Sequence, residues 1–204
     1  MKPPVTTVVQ SPGASTVPVS YVLPGRFAAD TTTADLEQWF GKANVRIDQL
    51  PGAEGETIRG ILLYPDDATR RAHLYFQDED TLRGLQMVRI VDATSIWTMD
   101  SGIGIGMALA ELVRINGKPI GFFGFDWDYG GHVTDWHGGV LAPRDGELTR
   151  RTFRLDLPEK ARGDTPYRNL PIGDGEFQSD DSRFAGLKLV VGEMGVSFPG
   201  EDDR

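Results

Sequence analysis

Thr32-Thr33-Ala34-Asp35-Leu36-Glu37-Gln38-Trp39-Phe40-Gly41-Lys42-Ala43-Asn44 is the stretch from which the fold is read. Thr32 and Asp35 have the spacing of a capping box, in which each satisfies a backbone or side-chain donor of the other. Leu36, Trp39 and Phe40 recur at i, i+3 and i+4, one apolar stripe of a helix. Gly41 is free to take positive φ and stops it. Four strand-like runs follow at about 44–48, 57–64, 70–77 and 84–91, with Pro65-Asp66-Asp67 as the turn between the middle two.

The same order returns further along. Leu109, Leu112 and Val113 read as a second short helix, stopped at Asn116-Gly117 and kept from continuing by Pro119. Sliding 32–44 onto 108–120 superposes Ala34 on Ala110, Leu36 on Leu112, Gly41 on Gly117 and Lys42 on Lys118. Strands are expected at about 120–129, 132–141, 148–157 and 187–198, the last broken at Gly192 or Gly195, with a polar loop over 158–183. The expected fold is α+β in two tandem halves, 26–100 and 101–200, each a short helix on an antiparallel sheet of about four strands. An internal duplication accounts for the repeat, and so does shared capping chemistry.

Outside the halves lie a proline-rich segment, 1–25, and an acidic tail, 201–204. Five of the chain's 13 prolines fall in 1–25, which is expected to be a mobile arm whose removal at Phe27 leaves cooperative unfolding intact; Val17–Val22 could also pair as an edge strand. The 204 residues contain no cysteine, which excludes a disulfide framework, a thiolate metal site and a cysteine nucleophile. The net charge of −9 argues against a nucleic-acid surface, which needs a basic footprint. No apolar run reaches the roughly 18–20 residues that span a bilayer, and no signal peptide is visible.

Gly106-x-x-Leu109-x-x-Leu112-x-x-x-Asn116-Gly117-Lys118-Pro119, then Gly124-Phe125-x-Trp127-Asp128-Tyr129-Gly130-Gly131 and Asp135-Trp136-x-Gly138-Gly139, resemble a family of uncharacterised bacterial proteins, many of them secreted or lipoprotein-like. Thr33-x-Asp35-Leu36-x-x-x-Phe40-Gly41-x-x-Asn44-Val45 and Leu63-Tyr64-Pro65-Asp66-Asp67 match its first half, so the resemblance spans roughly 30–198. It implies a location outside the cytoplasm and no particular activity. This chain departs from it in showing neither a signal sequence nor a lipid-bearing cysteine. In plan, the tandem halves are also similar to the beta-lactamase inhibitory protein, a likeness of architecture.

Familiar catalytic signatures are missing. Gly102-Ile103-Gly104-Ile105-Gly106 lacks the third glycine of a dinucleotide loop, Gly117-Lys118 runs into Pro119 rather than Ser or Thr, and no Gly-x-Ser-x-Gly elbow occurs. No cofactor is therefore expected, and no catalytic residue is assigned. His73 alternates with apolar neighbours and is expected to face solvent. Arg150, Arg151, Arg154, Lys160 and Arg162, followed by Asp174, Glu176, Asp180 and Asp181, read as internal charge balance or as an anion site.

The segment 122–139 holds the candidate site. With Gly130-Gly131 as a two-residue hairpin turn, Asp126 opposes Asp135 and Phe125 opposes Trp136. Alternation then puts Phe123, Phe125, Trp127, Tyr129 and Trp136 on one face, beneath the second helix. Asp126, Asp128, Asp135 and His137 fall on the other. Three carboxylates and an imidazole would suit Ca²⁺, Mn²⁺ or Zn²⁺; a solvated acidic face is the other reading. The leading expectation is a non-enzymatic binding or inhibitor-like module that meets another protein or a small ligand. The alternatives are a carbohydrate-active or metal-dependent hydrolase working through those four residues, and a structural component of the envelope.

Overall fold

The computed structural model describes residues 20–158, 170–184 and 186–200. Most of the expected arm, the acidic tail, Lys160 and Arg162 lie outside the described residues. The architecture is α+β, mostly antiparallel sheet, with two α-helices among the described residues.

In chain order the elements are β1 (Val22–Leu23), α1 (Thr33–Phe40), β2 (Val45–Pro51), β3 (Thr57–Leu63), β4 (Ala72–Asp78), β5 (Arg83–Ile90) and β6 (Thr98–Met99). There follow α2 (Leu109–Asn116), β7 (Gly121–Phe123), β8 (Val133–Asp135), β9 (Arg150–Asp156), β10 (Glu176–Gln178) and β11 (Val190–Ser197). The main sheet has six strands in the order β2-β3-β4-β5-β11-β9, every neighbouring pair antiparallel. A smaller antiparallel sheet runs β10-β7-β8, and β1 pairs with β6 in parallel.

The first half follows the sequence closely. Thr32 caps α1, its Oγ1 accepting the Asp35 N–H at 3.2 Å while Asp35 Oδ2 accepts the Thr32 N–H at 2.9 Å. Leu36 and Phe40 are buried, Trp39 is half-buried, and β2 to β5 form a meander. The second half differs. It does not build a four-strand sheet of its own: β9 and β11 join the first half's meander, and only β7, β8 and β10 form a separate sheet. The capping also differs, since Ala108 at the start of α2 offers no side-chain cap, and Gly117 closes α2 in the left-handed region.

The core lies between one face of the main sheet, the helices and the small sheet. Ile61, Leu63, Leu74, Leu85, Val88, Ile90, Met194 and Val196 are buried there with Leu36, Leu112, Phe122 and Trp97. Asn116, 1% exposed at the end of α2, binds that helix to the segment after β8. Its Nδ2 donates to the Lys118 and Trp136 carbonyls, both at 3.0 Å, and its Oδ1 accepts the Leu141 N–H at 3.2 Å. A side chain at Gly139 would strike this amide, its Cβ 2.2 Å from Oδ1, so the position is restricted to glycine.

The end of the expected arm is part of the fold. Val22 and Leu23 pair with Thr98 and Met99, Leu23 is fully buried, and the Tyr21 ring meets the edge of Trp97 at 5.2 Å. The edge-strand alternative thus holds at its last residue, Val22, through a parallel pair.

Candidate functional site

Alternation along the main sheet sends Leu74, Val88, Met194 and Phe153 to the core and their neighbours to the opposite face. The register sets His73 beside Arg89, Arg89 beside Gly195 and Gly195 beside Thr152. Glu193 faces Arg154, and Tyr75 faces Met87. Leu50, Leu62 and Tyr75, with Ile58 and Met87, make a second apolar cluster on this face. Two loops rise over it. Pro51–Gly55 forms one lip, and Asp128, Tyr129 and His132 form the other. Together they enclose a cleft of about 400 Å³, apolar at Ile58, Met87 and Tyr75 and charged at Arg89 and Glu193.

The charged end is tightly built. Arg89 grips Glu193 in a bidentate pair, Nε to Oε1 at 2.6 Å and Nη2 to Oε2 at 2.7 Å. Arg154 Nε lies 3.3 Å from the same Oε2, an ion pair without hydrogen-bond geometry. Glu193 is only 8% exposed. Its bond to Arg89 is the main cause that holds the guanidinium's pKa above its ordinary value. Two guanidiniums thus share one carboxylate at the floor, while Glu54 and Asp128 place a carboxylate on each lip. Arg89 Nη1 is its one terminal nitrogen without a bond to Glu193. Tyr75 donates its hydroxyl to the Pro51 carbonyl at 2.9 Å, tying the floor to the lip, and burial pushes its phenol pKa up.

The opposite lip is an aromatic chain. Phe123 meets Trp127, Trp127 meets Tyr129 and Tyr129 meets His132, with ring centroids 5.3, 5.3 and 6.0 Å apart. His132 Nδ1 lies 2.9 Å from the Tyr129 carbonyl. A carbonyl only accepts, so Nδ1 is the donor in this contact. Tyr129, at the rim, is 56% exposed.

His73 is not the solvent-facing residue that alternation suggests. Its Nδ1 is buried without a hydrogen-bond partner among the described residues. Burial depresses its pKa below the usual 6.5, and Arg89 and Arg71 depress it further against Asp92 and Glu193. Folding therefore favours neutral His73. Its contribution to stability is complete above the unfolded value of about 6.5 and is lost as pH falls from there toward the folded pKa. Urea unfolding of His73→Gln at pH 8 and pH 5.5 is expected to show a smaller loss on acidification than the parent chain. An equal loss would remove His73 as the cause.

The four residues expected to form the site are only partly brought together. Gly130-Gly131 do form a turn, the His132 N–H donating to the Tyr129 carbonyl at 3.1 Å, but it does not join a continuous two-residue hairpin: extended backbone ends at Phe123 and resumes at Val133. Asp135 faces Gly121 rather than Asp126, and a register shift separates Gly121 from Phe122. Phe122, not Phe123, is the fully buried ring, and Asp126 turns at φ 65° in the intervening loop. Asp126 and Asp128 are exposed there, and Asp128 lines the cleft. Asp135 and His137 do meet. The His137 N–H donates to Asp135 Oδ1 at 2.6 Å, Nδ1 lies 3.1 Å from Oδ2, and Nε2 lies 2.6 Å from Gln178 Oε1. Among the described residues, no group of three or more His, Asp or Glu side chains converges as metal ligands would.

Of the basic stretch, Arg151 and Arg154 find acidic partners outside the run of acids that follows it in the sequence. Arg151 pairs with Glu147 at 2.6 Å and with Asp100 at 2.9 Å, and Arg183 pairs with Asp181. No helix among the described residues is long and apolar enough to cross a membrane. Compared with protein-family models, curated proteins and solved structures, the chain matches none.

Proposed function

We propose that the chain is a binding module whose ligand seats in the cleft over the outer face of the main sheet. The observation that carries this reading is the cleft's two-ended lining. Ile58, Met87 and Tyr75 offer an apolar bed at one end, and Arg89, held by Glu193, offers a preset guanidinium at the other. Pockets that bind small molecules combine such an apolar lining with a few fixed polar groups. The favoured ligand is a small amphipathic anion, its apolar body on Met87 and its acidic head on Arg89. The ion pair argues for binding rather than proton transfer, because both Glu193 oxygens already face guanidinium groups. A location outside the cytoplasm, implied by the family resemblance, belongs to the same proposal.

The probe is 8-anilinonaphthalene-1-sulfonate, an aromatic body with an anionic head. Its fluorescence is expected to rise saturably with the folded chain. Met87→Trp, which fills the apolar end, is expected to weaken binding about tenfold or more, equivalent to about 1.4 kcal/mol. Saturable binding untouched by Met87→Trp would show that the cleft is not the seat.

A further inference from the structure

We infer that the free edge of β2 pairs with the same edge of a second copy of this chain about a twofold axis at Ile47. β2 ends the main sheet, and no strand among the described residues lies beyond it. Its hydrogen-bonding parity is fixed at both ends. The Tyr64 N–H donates to the Asn44 carbonyl and the Gly52 N–H to the Glu56 carbonyl, both at 2.8 Å, in the register that pairs Val45 with Leu63 and Pro51 with Thr57. Even-numbered positions of β2 therefore turn their backbone groups toward β3. Those of Val45, Ile47 and Gln49 point away from the sheet. The Val45 N–H is taken by the Lys42 carbonyl, and the Gln49 N–H by Asp48 Oδ1 at 2.9 Å. The groups left open at the edge are both of Ile47 and the carbonyls of Val45 and Gln49.

The sequence of this edge is complementary to itself. With Ile47 opposite Ile47, Arg46 faces Asp48 of the second copy, Asp48 faces Arg46, and Val45 faces Gln49. Ile47, 50% exposed, places its side chain against its own copy. At present Arg46 Nη2 pairs with its own Asp48 at 2.9 Å on an exposed surface, a contact worth little. Exchanging it for the facing pair frees the Gln49 N–H to bond the opposite Val45 carbonyl, while the two Ile47 residues exchange a reciprocal pair. Charges on an edge commonly guard it against pairing. Here their alternation selects one antiparallel register, since a twofold axis at Asp48 would set carboxylate against carboxylate. An isologous contact of this kind closes on itself and stops at two copies. A ribbon of about five residues a side falls short of the roughly 1,200–2,000 Å² of a stable interface, so the dimer is weak and concentration-dependent.

Sedimentation velocity of the full chain, from about 10 µM to about 1 mM, reads the association. A reversible rise toward twice the monomer mass is expected. Arg46→Asp and Asp48→Arg alone each set like charges across the edge and should weaken the dimer about tenfold or more, whereas an equimolar mixture of the two should restore it as a heterodimer. Ile47→Pro, which removes an N–H that the β2–β3 ladder does not use, should be monomeric with an unchanged circular dichroism spectrum. A monomer at every concentration overturns the inference. So does a dimer indifferent to both charge variants. So does an Ile47 amide protected from hydrogen exchange equally at all concentrations, which would mean that the edge is covered within one chain.

Discussion

Trp97→Ala is expected to lower the free energy of unfolding by about 3–5 kcal/mol, measured by urea denaturation. Trp97 is fully buried where the first-half meander, α1 and the segment before it meet. Its Nε1 donates to the Arg70 carbonyl at 2.8 Å, and its ring lies within 6.3 Å of Tyr21, Phe27 and Phe40. Truncation removes both a large apolar volume and the partner of a buried carbonyl, and the surrounding rings cannot collapse into the space without leaving their edge-on contacts. The same node holds Leu23, so a chain shortened to begin at Phe27 is expected to lose comparable stability. That reverses what the proline content of 1–25 suggests for its last few residues. A loss of only a few tenths of a kcal/mol in the free energy of unfolding of either variant would refute the packing described for this node.

Glu193→Ala is expected to cost about 3–5 kcal/mol, because it leaves the Arg89 and Arg154 guanidiniums facing one another without their carboxylate. Replacing Arg89 as well, in Glu193→Ala/Arg89→Met, should recover much of that loss, since one of the stranded charges is gone. If the double variant is as unstable as the sum of the two single variants, the pair is not the interaction that matters at this position. Ligand binding separates the two roles: the recovered double variant should still have an apolar bed yet no longer discriminate an anionic head.

Local signals carried the first half and failed in the second for a definable reason. The capping box at Thr32 and Asp35, the apolar stripe of α1 and the runs that became β2 to β5 are all short-range, and each is found within a few residues of its expected place. Gly130-Gly131, by contrast, reads as a hairpin turn because two adjacent glycines suit one. In the fold Gly131 sits at φ 78° with its backbone against β9. The Leu155 N–H donates to its carbonyl at 2.8 Å, and a Cβ there would lie 2.2 Å from the Leu155 carbonyl oxygen. The glycine does sit in the expected turn, which the His132 N–H closes on the Tyr129 carbonyl at 3.1 Å, but it also serves a contact across 24 residues, and composition does not reveal the second role. Gly192 is similar: it marks a register shift between Val191 and Glu193 inside a continuous β11, not a break.

The cleft was out of reach for a related reason. Alternation in Ala72-His73-Leu74-Tyr75-Phe76 assigns His73 and Tyr75 to one face but says nothing of what lies across from them. Arg89 and Glu193 are 104 positions apart, and they meet only because β11 docks beside β5. Of the residues singled out beforehand, Asp128 reaches the cleft lip and Asp135 meets His137, while Asp126 stays in the loop between β7 and β8.

The strand order has a consequence for how the chain folds. β2 to β5 are joined by short connections and can assemble as soon as 45–90 are available, since closing short loops costs little entropy. β9 cannot follow directly, because the place beside β5 belongs to β11, which is formed about a hundred residues after β5 ends. Until 190–197 arrive, the β5 edge stays open and β9 lacks the strand it pairs with in the main sheet. Completion of the sheet therefore waits on its most distant contacts, the kind that slows two-state folding. During synthesis the intermediate with an exposed β5 is the species most open to aggregation.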